Sequence, residues 1–371
     1  MLRLFLVAAV AIGATSLAFP AGAVSQSFKV QVDGTPPTGD AWAFLRFFPG
    51  ASLRVHAGDV VDFAWAGTDT PHTATLVPDA DPAAWRADNQ GPGDEFQDPI
   101  PDTMAGGDDG DLIENPTVVA PTDPSCGTEA APCSFDGTSV VSSGFQFSDP
   151  SAEPSFFASV DAPVGTYSFL CLLHPGMEDV LKVVADATTI STPAEIATKA
   201  AKQLKKAINV DGAAAELQAQ TWSVKGKKVL LNLGGFSNQV SANEFPDVPI
   251  SVNAGERIVV SGTGEIHTAT FPRKSFKTTP FVIPDCEQPG DDAPATSPAD
   301  CADPSKFELV INAKAFLPTT AKKLKDPTAF VNSGLLAIPA QTFTFVAAKP
   351  GKYTFVCLVH GPEMSGVIKV R

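Results

Sequence analysis

The chain has 371 residues, a formal net charge of −15, and a composition that is 44% hydrophobic and 18% charged, with 33 prolines and 29 glycines. That length suits two domains, each able to bury a core of its own, and the sparse charge among many turn formers describes a loop-rich globular protein rather than a disordered one. The acidic surplus excludes nucleic acid as a partner, because holding phosphates takes an excess of Lys and Arg.

At the N-terminus Arg3 precedes an apolar run from Leu4 to Ala18, and Ala21-Gly22-Ala23 supplies small residues for cleavage. Residues 1–23 therefore read as a secretory signal peptide. No second stretch of about 20 apolar residues follows, so no stable membrane span is expected after cleavage. The expected location is secreted, periplasmic or extracellular.

Residues 51–76 read ASLRVHAGDVVDFAWAGTDTPHTATL: an apolar strand, an Ala-Gly-acid turn, a second strand, then His72-Thr-Ala-Thr. An acidic, Pro- and Gly-rich insertion of about 80 residues separates His72 from the next recognisable strand near Phe156. A segment of that length is expected either to keep the protein soluble or to serve a function such as docking, ion binding or covering a site. Its GGDDGD run at 106–111 lacks the spacing of a calcium loop. His56, beside the turn at Ala57-Gly58-Asp59, reads as an ordinary surface residue.

The strand Gly165-Thr-Tyr-Ser-Phe-Leu-Cys171 then leads into Leu-Leu-His174-Pro-Gly-Met177. Between 187 and 222 the composition turns Ala-rich. Thr192 fits an N-cap, with Pro193 in the first helical position and Glu195 completing a capping box, and Ile196, Ala200, Leu204 and Ile208 fall on one face. This segment is a helical connector, either packed on a domain or acting as a spacer.

The second half repeats the first. Residues 249–271 read PISVNAGERIVVSGTGEIHTATF, ending in His267-Thr-Ala-Thr, and Gly351-Lys-Tyr-Thr-Phe-Val-Cys357-Leu-Val-His360 is followed by Met364. Both halves show short runs rich in Val, Phe, Tyr and Thr broken by Gly, Pro and Asp, the pattern of an antiparallel β-sandwich. The expected organisation is all-β, with domains at 24–186 and 223–371 joined by the helical linker at 187–222.

Each half thus carries one distant His and a Cys, His and Met in close succession: His72, Cys171, His174 and Met177, then His267, Cys357, His360 and Met364. Two imidazoles, a soft thiolate and a weak thioether suit a copper that alternates between Cu(I) and Cu(II). Side chains alternate along a strand, so Tyr167, Phe169 and Cys171 share a core-facing row, as do Tyr353, Phe355 and Cys357. The remaining Cys126 with Cys133, and Cys286 with Cys301, are expected as local disulfides in an exported protein. A bridge from Cys171 to Cys357 would need equivalent core positions of two domains to touch.

On PHT, EIHT, CLLHPGM and CLVHGPEM, both halves resemble cupredoxins of the plastocyanin, pseudoazurin and amicyanin group. The resemblance implies two tandem Greek-key β-sandwiches, one copper per domain, no catalytic residues, and electron exit through solvent-side His174 and His360. Three residues separate His360 from Met364, longer than the Cys-x-x-His-x-x-Met pattern of the first half. The expected function is one-electron transfer at one or two type 1 copper sites, with a redox protein bearing a basic or apolar docking patch as partner. The alternatives are copper storage or delivery, and a metal-free second domain. A multicopper oxidase or nitrite reductase needs further histidines, and only His56 is left over.

Overall fold

The computed structural model describes residues 25–66, 70–89, 112–113, 118, 120–146, 154–286, 301 and 307–371. The signal-peptide reading, residues 90–111, 114–117, 119 and 147–153 of the acidic insertion, and with them the GGDDGD run, lie outside them. The first half forms β1 (Ser27–Val32), β2 (Trp42–Phe44), β3 (Phe47–Phe48), β4 (Ser52–His56), β5 (Val60–Trp65), β6 (Thr75–Val77), β7 (Leu112–Ile113), β8 (Cys133–Phe135), β9 (Val141–Ser142), β10 (Ser155–Val160), β11 (Gly165–Leu170) and β12 (Glu178–Val184). The second forms β13 (Trp222–Lys225), β14 (Lys228–Asn232), β15 (Gly235–Ser237), β16 (Val240–Ala242), β17 (Ile250–Val252), β18 (Arg257–Ser261), β19 (Thr270–Phe271), β20 (Val282–Cys286), β21 (Phe307–Ile311), β22 (Lys323–Leu324), β23 (Val331–Asn332), β24 (Thr342–Ala347), β25 (Gly351–Cys357) and β26 (Gly361–Val370).

Each half is a Greek-key sandwich of two five-stranded sheets. The orders are β3-β1-β5-β10-β8 over β4-β12-β11-β6-β9, and β13-β14-β18-β24-β22 over β17-β26-β25-β19-β23. Period-two alternation dictates the layering: Phe28, Val30 and Val32 of β1, Val61, Phe63 and Trp65 of β5, and Phe169 and Cys171 at the end of β11 enter one core. Tyr353, Phe355 and Cys357 of β25 enter its counterpart. The sheets are mixed rather than antiparallel, because a strand that crosses to the other sheet leaves its neighbours running the same way. Thus β1 pairs parallel with β5 and β4 parallel with β12.

The two sandwiches share structure. Strand β2 of the first half pairs antiparallel with β16 of the second, Ala43 opposite Ser241, and β7 pairs with β21. The connector is not a spacer. It runs as helix from Pro193 to Gln220, with the expected Thr192–Glu195 capping box and a π-helical stretch at Ala207–Gly212. Ala200, Ala207, Ala215 and Ala219 pack with Trp42, Phe44, Phe48, Val240 and Ala242 in a core that joins both halves. Alanines on that face bring the helix close to the strands. At Gly235 the approach is backbone to backbone, since an added Cβ would collide with the carbonyl of Ala215. Both local disulfides form, Cys126 to Cys133 and Cys286 to Cys301. His56, expected on the surface, is buried, because its Nε2 lies 2.9 Å from the Thr188 carbonyl that closes the first sandwich onto the connector. Among the described residues no helix is long and apolar enough to cross a membrane.

Gly235→Ala is therefore expected to destabilise the fold by about 1–3 kcal/mol through overpacking, read as a lower chemical-denaturation midpoint; an unchanged midpoint would show that the helix does not bear on β15. A second expectation concerns Glu244, whose carboxylate accepts from the Ala41 N–H across the interface at 2.9 Å. Burial pushes the Glu244 carboxyl above its ordinary 4.5, against the lowering effect of the Ala41 and Gln220 hydrogen bonds. The folded chain therefore holds this proton more tightly than the unfolded one, so the contribution to stability is full below pH 4.5 and fades as pH rises through the raised value. Relative to wild type, Glu244→Gln should gain stability between pH 4.5 and 8, measured by urea unfolding at both values.

Candidate metal centres

His72 follows a loop from β5 and is fixed by a two-way backbone bridge to Gln146, at 3.0 and 2.9 Å. Cys171 ends the aromatic row of β11, and a tight turn brings His174 back beside it before β12 begins. His72, Cys171 and His174 thereby offer ligand atoms that all lie within 4.8 Å of one another, and His267, Cys357 and His360 do the same in the second half. In site 1, the first-half group, Cys171 Sγ lies 3.9 Å from His72 Nδ1 and 3.5 Å from His174 Nδ1. In site 2, its second-half counterpart, Cys357 Sγ lies 3.5 Å from His360 Nδ1, which is 3.1 Å from His267 Nδ1.

Met177 and Met364 are fully buried in the cores that hold Cys171 and Cys357. Cys171 N–H donates to the Met177 carbonyl at 2.9 Å, which closes the short loop. In the second half the extra loop residue is taken up by an irregularity in the β25–β26 register at Val356/Cys357, so that β26 starts at Gly361 and turns Met364 inward.

The repeated His-Thr-Ala-Thr motif has a role that sequence reasoning missed. Thr73 N–H donates to Cys171 Sγ at 3.4 Å, and Thr73 Oγ1 accepts from the Leu172 N–H at 2.8 Å. Thr268 does the same for Cys357 Sγ and the Leu358 N–H, at 3.3 and 2.8 Å. Each threonine ties the loop carrying the distant His to the loop carrying the Cys. Its appearance directly after both histidines was the available signal.

The sites differ in their surroundings. His72 Nε2 lies 3.2 Å from Asp33 Oδ2 in full burial. Burial alone would lower the His72 pKa, but the Asp33 and Cys171 hydrogen bonds and charges outweigh it and raise it to about 9. Burial likewise opposes a thiolate at Cys171, yet His174 and His72 pull its pKa well below the ordinary value. In site 2 burial dominates. It pushes the Cys357 thiol up against the N–H donors around it, and with the His360 charge it holds His267 well below its ordinary value. His360 is lowered to about 3 by burial and by the charge of His174.

His174 is not the solvent-side exit expected of it. Only 11% of its side chain is exposed, and Nε2 lies 3.9 Å from Glu265 Oε1 of the second half. Docking of the two sandwiches covers that end of site 1. The insertion contributes as well: from helix Pro82–Asn89, Arg86 Nη2 donates to the Cys171 carbonyl at 2.7 Å, while its Nε lies 3.6 Å from Glu178.

No protein-family model and no curated protein matches the chain. Among solved structures it is similar to reduced auracyanin from Roseiflexus castenholzii, at 19% identity and a TM-score of 0.24 over 44% of this chain and 100% of that one. It is similar also to oxidised plastocyanin from Dryopteris crassirhizoma, at 21% and 0.20 over 42% and 99%. The Cu-containing nitrite reductase of Thermus scotoductus SA-01 matches at 13% and 0.22 over 93% and 68%. Two converging imidazole Nδ1 atoms beside a buried cysteine sulfur are a donor set that fits copper, and with the shared strand order they make each half a cupredoxin-like β-sandwich.

Proposed function

We propose that the protein is an exported one-electron carrier that holds copper in both halves. His72, Cys171, His174 and Met177 would hold one ion, and His267, Cys357, His360 and Met364 the other. Bound copper supplies the redox couple; the chain supplies ligands that stay in place when the oxidation state changes. The observation that carries the reading is the pair of buried Cys-His-His groups, each locked by its threonine between two strands of a sandwich.

The residues favour a carrier over an oxidase or a reductase. The chain has five histidines, of which four belong to the two groups and the fifth, His56, is engaged with the Thr188 carbonyl and lies 3.9 Å from Asp59. A further centre of the kind those enzymes use would have no imidazole to bind it. The two disulfides support export to an oxidising compartment. A redox protein with a basic or apolar docking patch remains the proposed partner of this acidic chain.

Copper titration of the mature chain is expected to reach two ions per molecule with an intense visible thiolate band. Cys171→Ser and Cys357→Ser should each remove one ion's share of that band. Tight copper binding without a thiolate band would replace the electron-transfer reading with storage or delivery, and uptake of a single ion would make the second half a structural module.

Thr73→Val and Thr268→Val should each cost about 1–3 kcal/mol, because a buried Leu172 or Leu358 N–H loses its acceptor. Each should also shift the thiolate band of its own site alone. A stability loss with both bands unmoved would separate the threonine from the metal environment.

A further inference from the structure

The same backbone position in the two halves holds different residues. β1 pairs with β5 as β14 pairs with β18, Ser27 opposite Val60 and Lys228 opposite Arg257. Counting along these strands places Asp33 where the second half has Gly234, and both adopt a left-handed conformation, with φ of 64° and 67°. Asp33 presents Oδ2 to His72 Nε2 at 3.2 Å, and its Oδ1 is held by the N–H groups of Gly34 and Phe44 at 2.6 and 2.7 Å. At Gly234 an added Cβ would stand 2.7 Å from His267 Nε2. Among the described residues that buried nitrogen has no hydrogen-bond partner.

Site 1 also receives a second carboxylate from the other half. Glu265 Oε1 faces His174 Nε2 at 3.9 Å, and its side chain is 7% exposed. Both outer imidazole nitrogens of site 1 thus look onto buried carboxyl groups. The remaining charges near the sites do not cancel this. Arg86, on the Cys171 carbonyl, is paired with Glu178 at 3.6 Å. Near site 2, exposed Arg273 donates to the Pro362 carbonyl at 3.1 Å, and its sign acts in the opposite direction.

We propose that the two centres form an unequal pair: Asp33 and Glu265 are positioning residues that bias site 1 toward Cu(II), while site 2, with Gly234 in place of Asp33, is biased toward Cu(I). A fixed negative charge stabilises a dication more than a monocation, and a carboxylate accepting the outer N–H of a ligand imidazole makes that ligand a stronger donor. One electron delivered to the chain with both ions oxidised therefore rests in the second half. With copper in both sites, an electron arriving at site 1 would pass on, one Cu(I) being reoxidised there as one Cu(II) is reduced at site 2, with no atom transferred.

The inference rests on copper filling both sites, and its test separates the two ideas. Cys357→Ser leaves only site 1 with a thiolate band and Cys171→Ser leaves only site 2, so spectroelectrochemistry of the two copper-loaded variants gives each potential by itself. Site 1 should prefer Cu(II) over Cu(I) at least tenfold more than site 2 does, which for a one-electron couple is about 59 mV. Adding Asp33→Asn to the Cys357→Ser chain should move site 1 toward site 2 by about tenfold, while in the Cys171→Ser chain it should leave site 2 within about twofold. Glu265→Gln should move site 1 in the Cys357→Ser chain in the same direction and further than it moves site 2 in the Cys171→Ser chain, and it carries the test if the Asp33 variant does not fold. Preferences that agree within twofold, are reversed, or ignore both variants would overturn the proposal while leaving the copper reading intact. Copper uptake with no thiolate band in either single-cysteine variant would overturn both.

Discussion

The geometry of both sites depends on one crossing of two loops. A cysteine at the end of a core strand and a histidine about 100 residues earlier have no local reason to meet. The threonine after that histidine makes them meet, by giving its N–H to the sulfur and taking the N–H of the residue after the cysteine. Behind this crossing a second hydroxyl or amide layer continues the contact: Thr73 to Thr75 and Ser142 in one half, Thr268 to Thr270 and Asn332 in the other. These groups are buried and mutually satisfied, which makes a displaced loop costly. The ligand atoms converge because the loops cannot separate without breaking this chain.

The second constraint is the docking of the halves, which decides what each site can be reached by. Trp42 and Phe44 of β2 pack with Val240 and Ala242 of β16 beneath the alanine face of the connector. That contact brings Glu265, two residues before His267, against His174. The same docking places Gln239 Nε2 on the carbonyl of Pro175 in the loop between His174 and Met177, at 2.9 Å. The first sandwich therefore meets the second through its site, and an imidazole that would otherwise face water faces the partner half.

Much of this was legible in the sequence, and the reason is locality. The capping box at Thr192, the Cys-x-x-His-x-x-Met loop and the disulfides at Cys126 and Cys286 each depend on residues close along the chain, and alternation along β11 and β25 put Phe169 and Phe355 in the core rows. What stayed hidden depends on register between distant segments. Nothing near Trp42 names Ala242 as its neighbour, and nothing near Asp33 names His72. His56 was misplaced for the same reason: its partner carbonyl at Thr188 lies 132 residues away.

The inequality between Asp33 and Gly234 follows from how tightly the chain is packed at this turn in each half. Both halves place a glycine at the next position, Gly34 and Gly235, and both glycines meet the helix. A Cβ at Gly34 would press on the tip of the Leu204 side chain, which can move, whereas a Cβ at Gly235 would press on the Ala215 carbonyl and the Ala219 nitrogen, which cannot. The second half thus has β15 drawn against helix backbone. At Gly234 the chain is equally tight, with the Ala242 carbonyl and His267 Nε2 each 2.7 Å from where a Cβ would stand. A side chain that could reach His267 from that position would have to displace the imidazole or the Ala242 carbonyl of β16. In the first half the corresponding turn is held open by Asp33 itself, whose Oδ1 takes the N–H of Phe44 in β2. One carboxylate therefore anchors the strand that docks the halves and backs the site 1 imidazole. In the second half the Ala242 carbonyl of β16, the strand that pairs with β2, and the His267 imidazole leave no room for its equivalent, so the packing that unites the two sandwiches is also what makes their sites different.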